Sequence, residues 1–160
     1  PMLSDHFGFK VAVGRYGESD RRMASLPRVN NRYSVAPIHF VTTTSLKRLE
    51  TLVPAAKIDR RRFRQKVLRE GVMEASFAER GWIDEALHFG ALVCKVTEPT
   101  KRCGMTLAAQ PGLDEEAEIL RSIVRHASLT LGVYCDVVRP AKVSVGTMAS
   151  REGRWHEART

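Results

Sequence analysis

Nowhere does the sequence hold a run of about 18 apolar residues, so no transmembrane helix is expected. The stretch Pro1 to Lys10 carries acidic and polar residues where a signal peptide needs an uninterrupted apolar segment, which makes a cytoplasmic location the expectation. The chain opens at Pro1, which fits either a protein without its initiator methionine or a piece of something longer. Cysteine is scarce. Three cysteines, an odd number without a secretory signal, read as free thiols in a reducing compartment and not as a disulfide framework. These cysteines and the five histidines form no Cys-x-x-Cys and no His-x-x-x-His pair, which speaks against a zinc site. Internal repeats and low-complexity tracts are also lacking.

What is present is an ordinary globular composition, 43% hydrophobic and 28% charged. A chain of 160 residues fits one domain that buries roughly 70% of its unfolded surface, so neither disulfide nor structural metal is required. Lysine and arginine number 26 against 18 acidic residues, a net charge of +8 that favours anionic partners: phosphate groups, nucleic acid or an anionic cofactor.

Along the chain, Phe7 to Val13 reads as a strand entering a turn at Gly14, and Glu18 to Tyr33 as a polar loop. Ile38 to Val41 reads as a strand. A helix capped by Thr43 or Thr44 follows, with Leu46, Leu49, Leu52 and Val53 at helical spacing until Pro54. The basic run Arg60 to Lys66 precedes a short strand, Val67 to Arg69. Leu87 to Phe89 and Leu92 to Thr97 read as two strands joined through Gly90-Ala91, and Pro99 to Met105 as a loop that carries Cys103. Asp114 is an N-cap candidate for a helix with Ala117, Leu120, Ile123 and Val124 on one stripe. Two strands, Gly132 to Arg139 and Lys142 to Gly146, precede a tail without periodicity. The domain reading is thus an N-terminal strand and flexible loop (1–32), a β-barrel domain (33–147) and a C-terminal tail (148–160).

Cys94 alternates with Leu92 and Val96, and Cys135 with Val133 and Val137, so both read as core residues. Cys103 differs. It lies in a loop beside Lys101, Arg102 and Gly104; positive charge favours the thiolate, which is the form that binds a soft metal or carries sulfur. The plainer alternative is a buried, inert thiol. Thr42, Thr43 and Thr44 could contact an anion, although helix capping explains them equally well. The arginine run suits cofactor phosphate or nucleic acid, or is simply a solvated basic turn. His39 reads as a satisfied core histidine, and His126 as a helix C-terminal charge.

Four segments in order resemble the MOSC family, named after the C-terminal part of molybdenum cofactor sulfurases. They are Ala36-Pro37-Ile38 through Ser45-Leu46, Phe63-Arg64, Trp82 with Leu87, Phe89 and Gly90, and Arg102-Cys103-Gly104-Met105-Thr106. The late stretch Leu131-Gly132-Val133-Tyr134 through Gly146 is similar to that family's closing segment. The resemblance implies a mainly β fold, an antiparallel β-barrel with a few short helices. It also implies a molybdenum cofactor (molybdopterin), with Cys103 as catalytic residue and metal ligand, and Arg64, Lys101 and Arg102 as cofactor contacts, to which Thr43 is added on the anion reading above. The activity implied is that of an oxidoreductase, as in the mitochondrial amidoxime-reducing component, or of a sulfur carrier. Its partners would be the anionic pterin and a redox or sulfur-donor protein, with no membrane role. Gln65-Lys66 stands where that family has Pro-Asn, and Gly146-Thr147-Met148 replaces its Gly-Asp-Pro ending. The alternative function is a non-catalytic basic module for nucleic acid or another anion. Only Phe63 is interleaved with the arginines, so base stacking has little support and nucleic acid is not expected.

Overall fold

The computed structural model describes residues 2–12, 36–70 and 77–155. The chain divides into two compact units, Pro1–Ser34 and Val35–Thr160. In the first, α1 (Met2–Phe7) ends on Phe7, where the sequence suggests that a strand begins. Gly8, at φ +71°, donates its N–H to the Ser4 carbonyl at 2.9 Å and turns the chain back. The Ser4 hydroxyl then takes both backbone groups of Val11, accepting from its N–H at 2.9 Å and donating to its carbonyl at 3.2 Å. Those are the groups a strand would have offered to a neighbour, and residues 8–12 accordingly form none. Val13 and the loop read over Glu18 to Tyr33 lie outside the described residues.

The second unit is built on β1 (Ile38–Thr42), β2 (Val67–Arg69), β3 (Glu85–Phe89), β4 (Leu92–Lys101), β5 (Thr130–Arg139) and β6 (Ala149–Arg154). They form one sheet in the order β2-β1-β5-β4-β3-β6, antiparallel except for the β1–β2 pair. The mainly β, largely antiparallel fold is thus the one formed, as a mixed sheet curled into a half-barrel. The helices are few and short: α2 (Thr43–Leu52), α3 (Ala117–Ala127), and 3-10 turns at Arg60–Phe63, Ala78–Trp82 and Gly104–Thr106. Among the described residues, no helix is long and apolar enough to cross a membrane.

Strand alternation sends consecutive residues of β1 to opposite faces of the sheet. Phe40 joins Trp82, Phe89, Val96 and Val133 in one core, while Val41 joins Leu49, Phe63, Ile119, Ile123 and Leu131 in the other, which α2 and α3 cover. Cys94 and Cys135 lie fully buried in the first core, as their alternation suggests, and burial pushes their thiols up to about 11 and about 12.

Several elements differ from their sequence reading. The α3 helix begins at Ala117 with Glu116 as its cap, and its buried stripe is Ile119, Ser122, Ile123 and Ala127, which leaves Val124 outside. Strand β4 runs through Pro99 to Lys101, because the register shifts on either side of that proline spare it a ladder hydrogen bond. The segment Lys142 to Gly146 forms no strand. The sixth strand comes from residues read as a tail, and it pairs with β3 through Arg151, whose guanidinium reaches Glu85 at 2.9 Å and the face of Trp82 at 5.2 Å.

At φ +76°, Gly132 sits where a Cβ would come within 2.3 Å of the Phe40 carbonyl oxygen and 2.6 Å of Val41 Cγ2. Urea unfolding of Gly132→Ala is therefore expected to show a loss of about 3 kcal/mol. The change Gly81→Ala, at a site with nothing within 4 Å, should stay within about 0.5 kcal/mol of the parent. Similar losses in both would contradict the close approach of β5 to β1.

Candidate functional site

Beyond the end of β4, the Arg102 N–H donates to the Leu129 carbonyl at 2.9 Å, so the chain is still tied to the turn before β5 when it reaches Cys103. Cys103 is extended (φ −127°, ψ −179°) and opens the 3-10 turn, its carbonyl accepting from Thr106 N–H at 3.0 Å. Its side chain is exposed, as are Gly104 and Met105 after it, while Thr106 is buried. The turn thus fixes the backbone of the loop and leaves the thiol outside.

The basic segment has a different fate at each arginine. Asp59 caps its 3-10 turn, accepting from Arg61 N–H at 2.8 Å and pairing with the Arg61 guanidinium at 3.0 Å; that contact holds the Asp59 carboxyl down at about 2. Arg61 also donates to the Pro111 carbonyl. Arg62 is only 2% exposed, and its guanidinium reaches the carbonyls of Leu107, Ala108 and Asp114 at 3.5, 3.3 and 2.6 Å. Phe63 is buried, and Arg64 is exposed in the left-handed region at φ 52°. The run is therefore not one basic surface: Arg62 is an internal tie and Arg61 is engaged, whereas Arg60 and Arg64 face outward.

Arg102 answers from the other side. Its guanidinium donates to the Phe63 carbonyl at 2.9 Å and lies 5.6 Å from the centre of the Phe63 ring. The neighbours of Cys103 and Arg64 are thereby bonded to each other, which brings the cysteine loop and the basic turn together. Lys101 is exposed at the end of β4, opposite Thr130. Behind them His39, 8% exposed, sits with its Nε2 at 3.5 Å from Arg102 Nη1 and 3.4 Å from the Leu131 carbonyl. Burial first, and the Arg102 charge second, bring its imidazole down to about 4, so it is neutral at pH 7.

Thr43 is half-buried in the first turn of α2. The cap itself is Thr42, and the place an anion would take at that helix start holds the buried carboxyl of Glu79. One Glu79 oxygen accepts from Thr42 N–H at 2.8 Å and Thr42 Oγ1 at 2.7 Å, the other from Ser45 Oγ at 2.6 Å. Sequence reasoning missed Glu79, since an isolated acid in a polar stretch carries no local signal; of its partners only the Thr42 hydroxyl was legible, and Ser45 was not singled out. An open cleft of about 400 Å³ is lined by Ala86, Glu152, Gly153, Arg154 and Trp155, a set that shares no residue with the Cys103 region. Among the described residues no three of His, Cys, Asp and Glu gather as a metal-ligand cluster.

A family model, that of the MOSC domain, matches residues 21–149 of the chain. No curated protein matches it.

Removing the Glu79 carboxyl strands two buried hydroxyls and a backbone N–H. Thermal or urea unfolding of Glu79→Ala should show a loss of about 3 kcal/mol, with Glu79→Gln recovering part of it. An unchanged midpoint in the alanine variant would mean that the carboxyl is not engaged as described.

Proposed function

We propose, from the premise that this chain belongs to the MOSC domain family, that it binds a molybdenum cofactor through Cys103 and acts as an oxidoreductase or a sulfur carrier. The observation that carries the reading is an exposed thiol, on a loop fixed by backbone bonds, beside a turn that presents Arg64 outward. The residues present fit such a group. One accessible sulfur suits a soft metal that keeps its remaining ligands from the pterin, and two outward cations suit an anionic pterin phosphate.

In this reading Cys103 supplies the thiolate ligand, and Arg64 and Lys101 bind the anionic part of the cofactor. Thr43 takes no part in this reading, because the Glu79 carboxyl already occupies the start of α2 where an anion would sit. Arg102 contributes by orientation, since its guanidinium is held by the Phe63 carbonyl and ring. When bound, the cofactor would supply two-electron redox chemistry at the metal. As a carrier, the Cys103 thiolate would attack the outer sulfur of a donor protein's persulfide and release the donor thiolate, then give that sulfur up to an acceptor nucleophile and return to the thiolate. Cys94 and Cys135 are buried and would not serve as the resolving thiol.

Metal and pterin analysis of protein purified from a cofactor-producing host tests this directly. The parent should carry both. Cys103→Ser should lose the metal, and Arg64→Ala should retain about ten-fold less pterin. Equal metal and pterin in the parent and Cys103→Ser would remove the ligand role. Sulfane sulfur on Cys103 without metal would select the carrier form.

A further inference from the structure

The cysteine loop and the arginine turn belong to segments far apart in the chain, and a third residue touches both. His39 projects from β1 with Nε2 at 3.5 Å from Arg102 Nη1, and the backbone of Arg64 hydrogen-bonds the same ring. A neutral imidazole has one N–H to donate and one lone pair to fill. The neighbouring carbonyls can only accept. The Leu131 carbonyl at 3.4 Å and Arg102 Nη1 at 3.5 Å both face Nε2, and in the tautomer that accepts from Arg102 this nitrogen carries the lone pair. In that tautomer the ring proton lies on Nδ1 and is left for the Arg64 backbone. The fold reserves the space: opposite this ring β5 has Gly132, where a Cβ would stand 3.0 Å from Nε2.

We propose that His39 is a positioning residue for the Cys103 site, accepting from the Arg102 guanidinium and donating to the Arg64 backbone so that thiol and cation keep one mutual geometry. This rests on the reading of Cys103 and Arg64 as that site. It accounts for a polar ring buried on the sheet face that also carries Val41 and Leu131, where an aliphatic side chain would fill the volume without desolvating two polar atoms. It also accounts for Arg64 holding a left-handed backbone without being glycine, since its backbone is bonded from the interior.

Amide hydrogen exchange on the full chain without cofactor tests the latch. His39→Phe keeps the ring volume and removes both nitrogens. Residues 64–66 and 102–107 should then both exchange about ten-fold faster, while the β3–β4 hairpin keeps its protection. His39→Gln, which retains one donor and one acceptor, should restore both segments. A residue with a merely structural role would loosen all segments in proportion to the loss of stability. That outcome, a change in only one of the two segments, or glutamine behaving like phenylalanine would each overturn the proposal. Should the phenylalanine variant fail to fold, His39→Asn, too short to reach both partners, must show the same paired loosening. Because exchange is read without metal, its result and the metal content of Cys103→Ser can fail independently.

Discussion

Two arginines reach across the same gap in opposite directions, and the rest of the candidate site depends on them. Arg62, from the basic turn, takes three carbonyls of the segment that follows Cys103; Arg102, from the cysteine loop, takes the carbonyl of Phe63 in the basic turn. Each guanidinium has a planar fork of donors, so it can fix the direction of an irregular backbone as no lysine could. Burying Arg62 is costly, and carbonyl oxygens offset that cost only while all three stay in place. The clasp therefore acts cooperatively: displacing one segment exposes the charge that holds the other.

The sheet supplies the frame. β1 stands between β2 and β5, so His39, the start of α2 and the basic turn leading into β2 are fixed relative to one another by ladder hydrogen bonds. Glu79 plays the matching part at the start of α2, filling the helix terminus with an internal carboxyl. Outward of these ties, among the described residues, stand the Cys103 thiol, Gly104, Met105, Lys101, Arg60 and Arg64. The interior polar groups hold, and the exterior ones are available to bind.

Much of this was legible in the sequence. Period-two alternation located Cys94 and Cys135 in the core, Gly90-Ala91 marked the hairpin, and the residues around Cys103 set it apart from the other two cysteines while leaving its burial open. The rest was hidden for physical reasons. Pro99 reads as a breaker because its missing N–H matters only where the ladder is regular, and β4 is not regular there. The charged, glycine-containing β6 is held by Trp82 and Glu85 from across the sheet, a long-range support with no local periodicity. A basic run does not disclose which arginine turns inward, and Arg62 and Arg61 are indistinguishable until the carbonyls they meet are known.

The central claim is that the clasp leaves one thiol outside a fold that seals the other two. Native-state alkylation, followed residue by residue with mass spectrometry, tests it most directly. Cys103 should be modified promptly and alone, with Cys94 and Cys135 reacting only as fast as the whole domain unfolds. Protection of Cys103 equal to that of Cys94, or early modification of all three, would contradict the account.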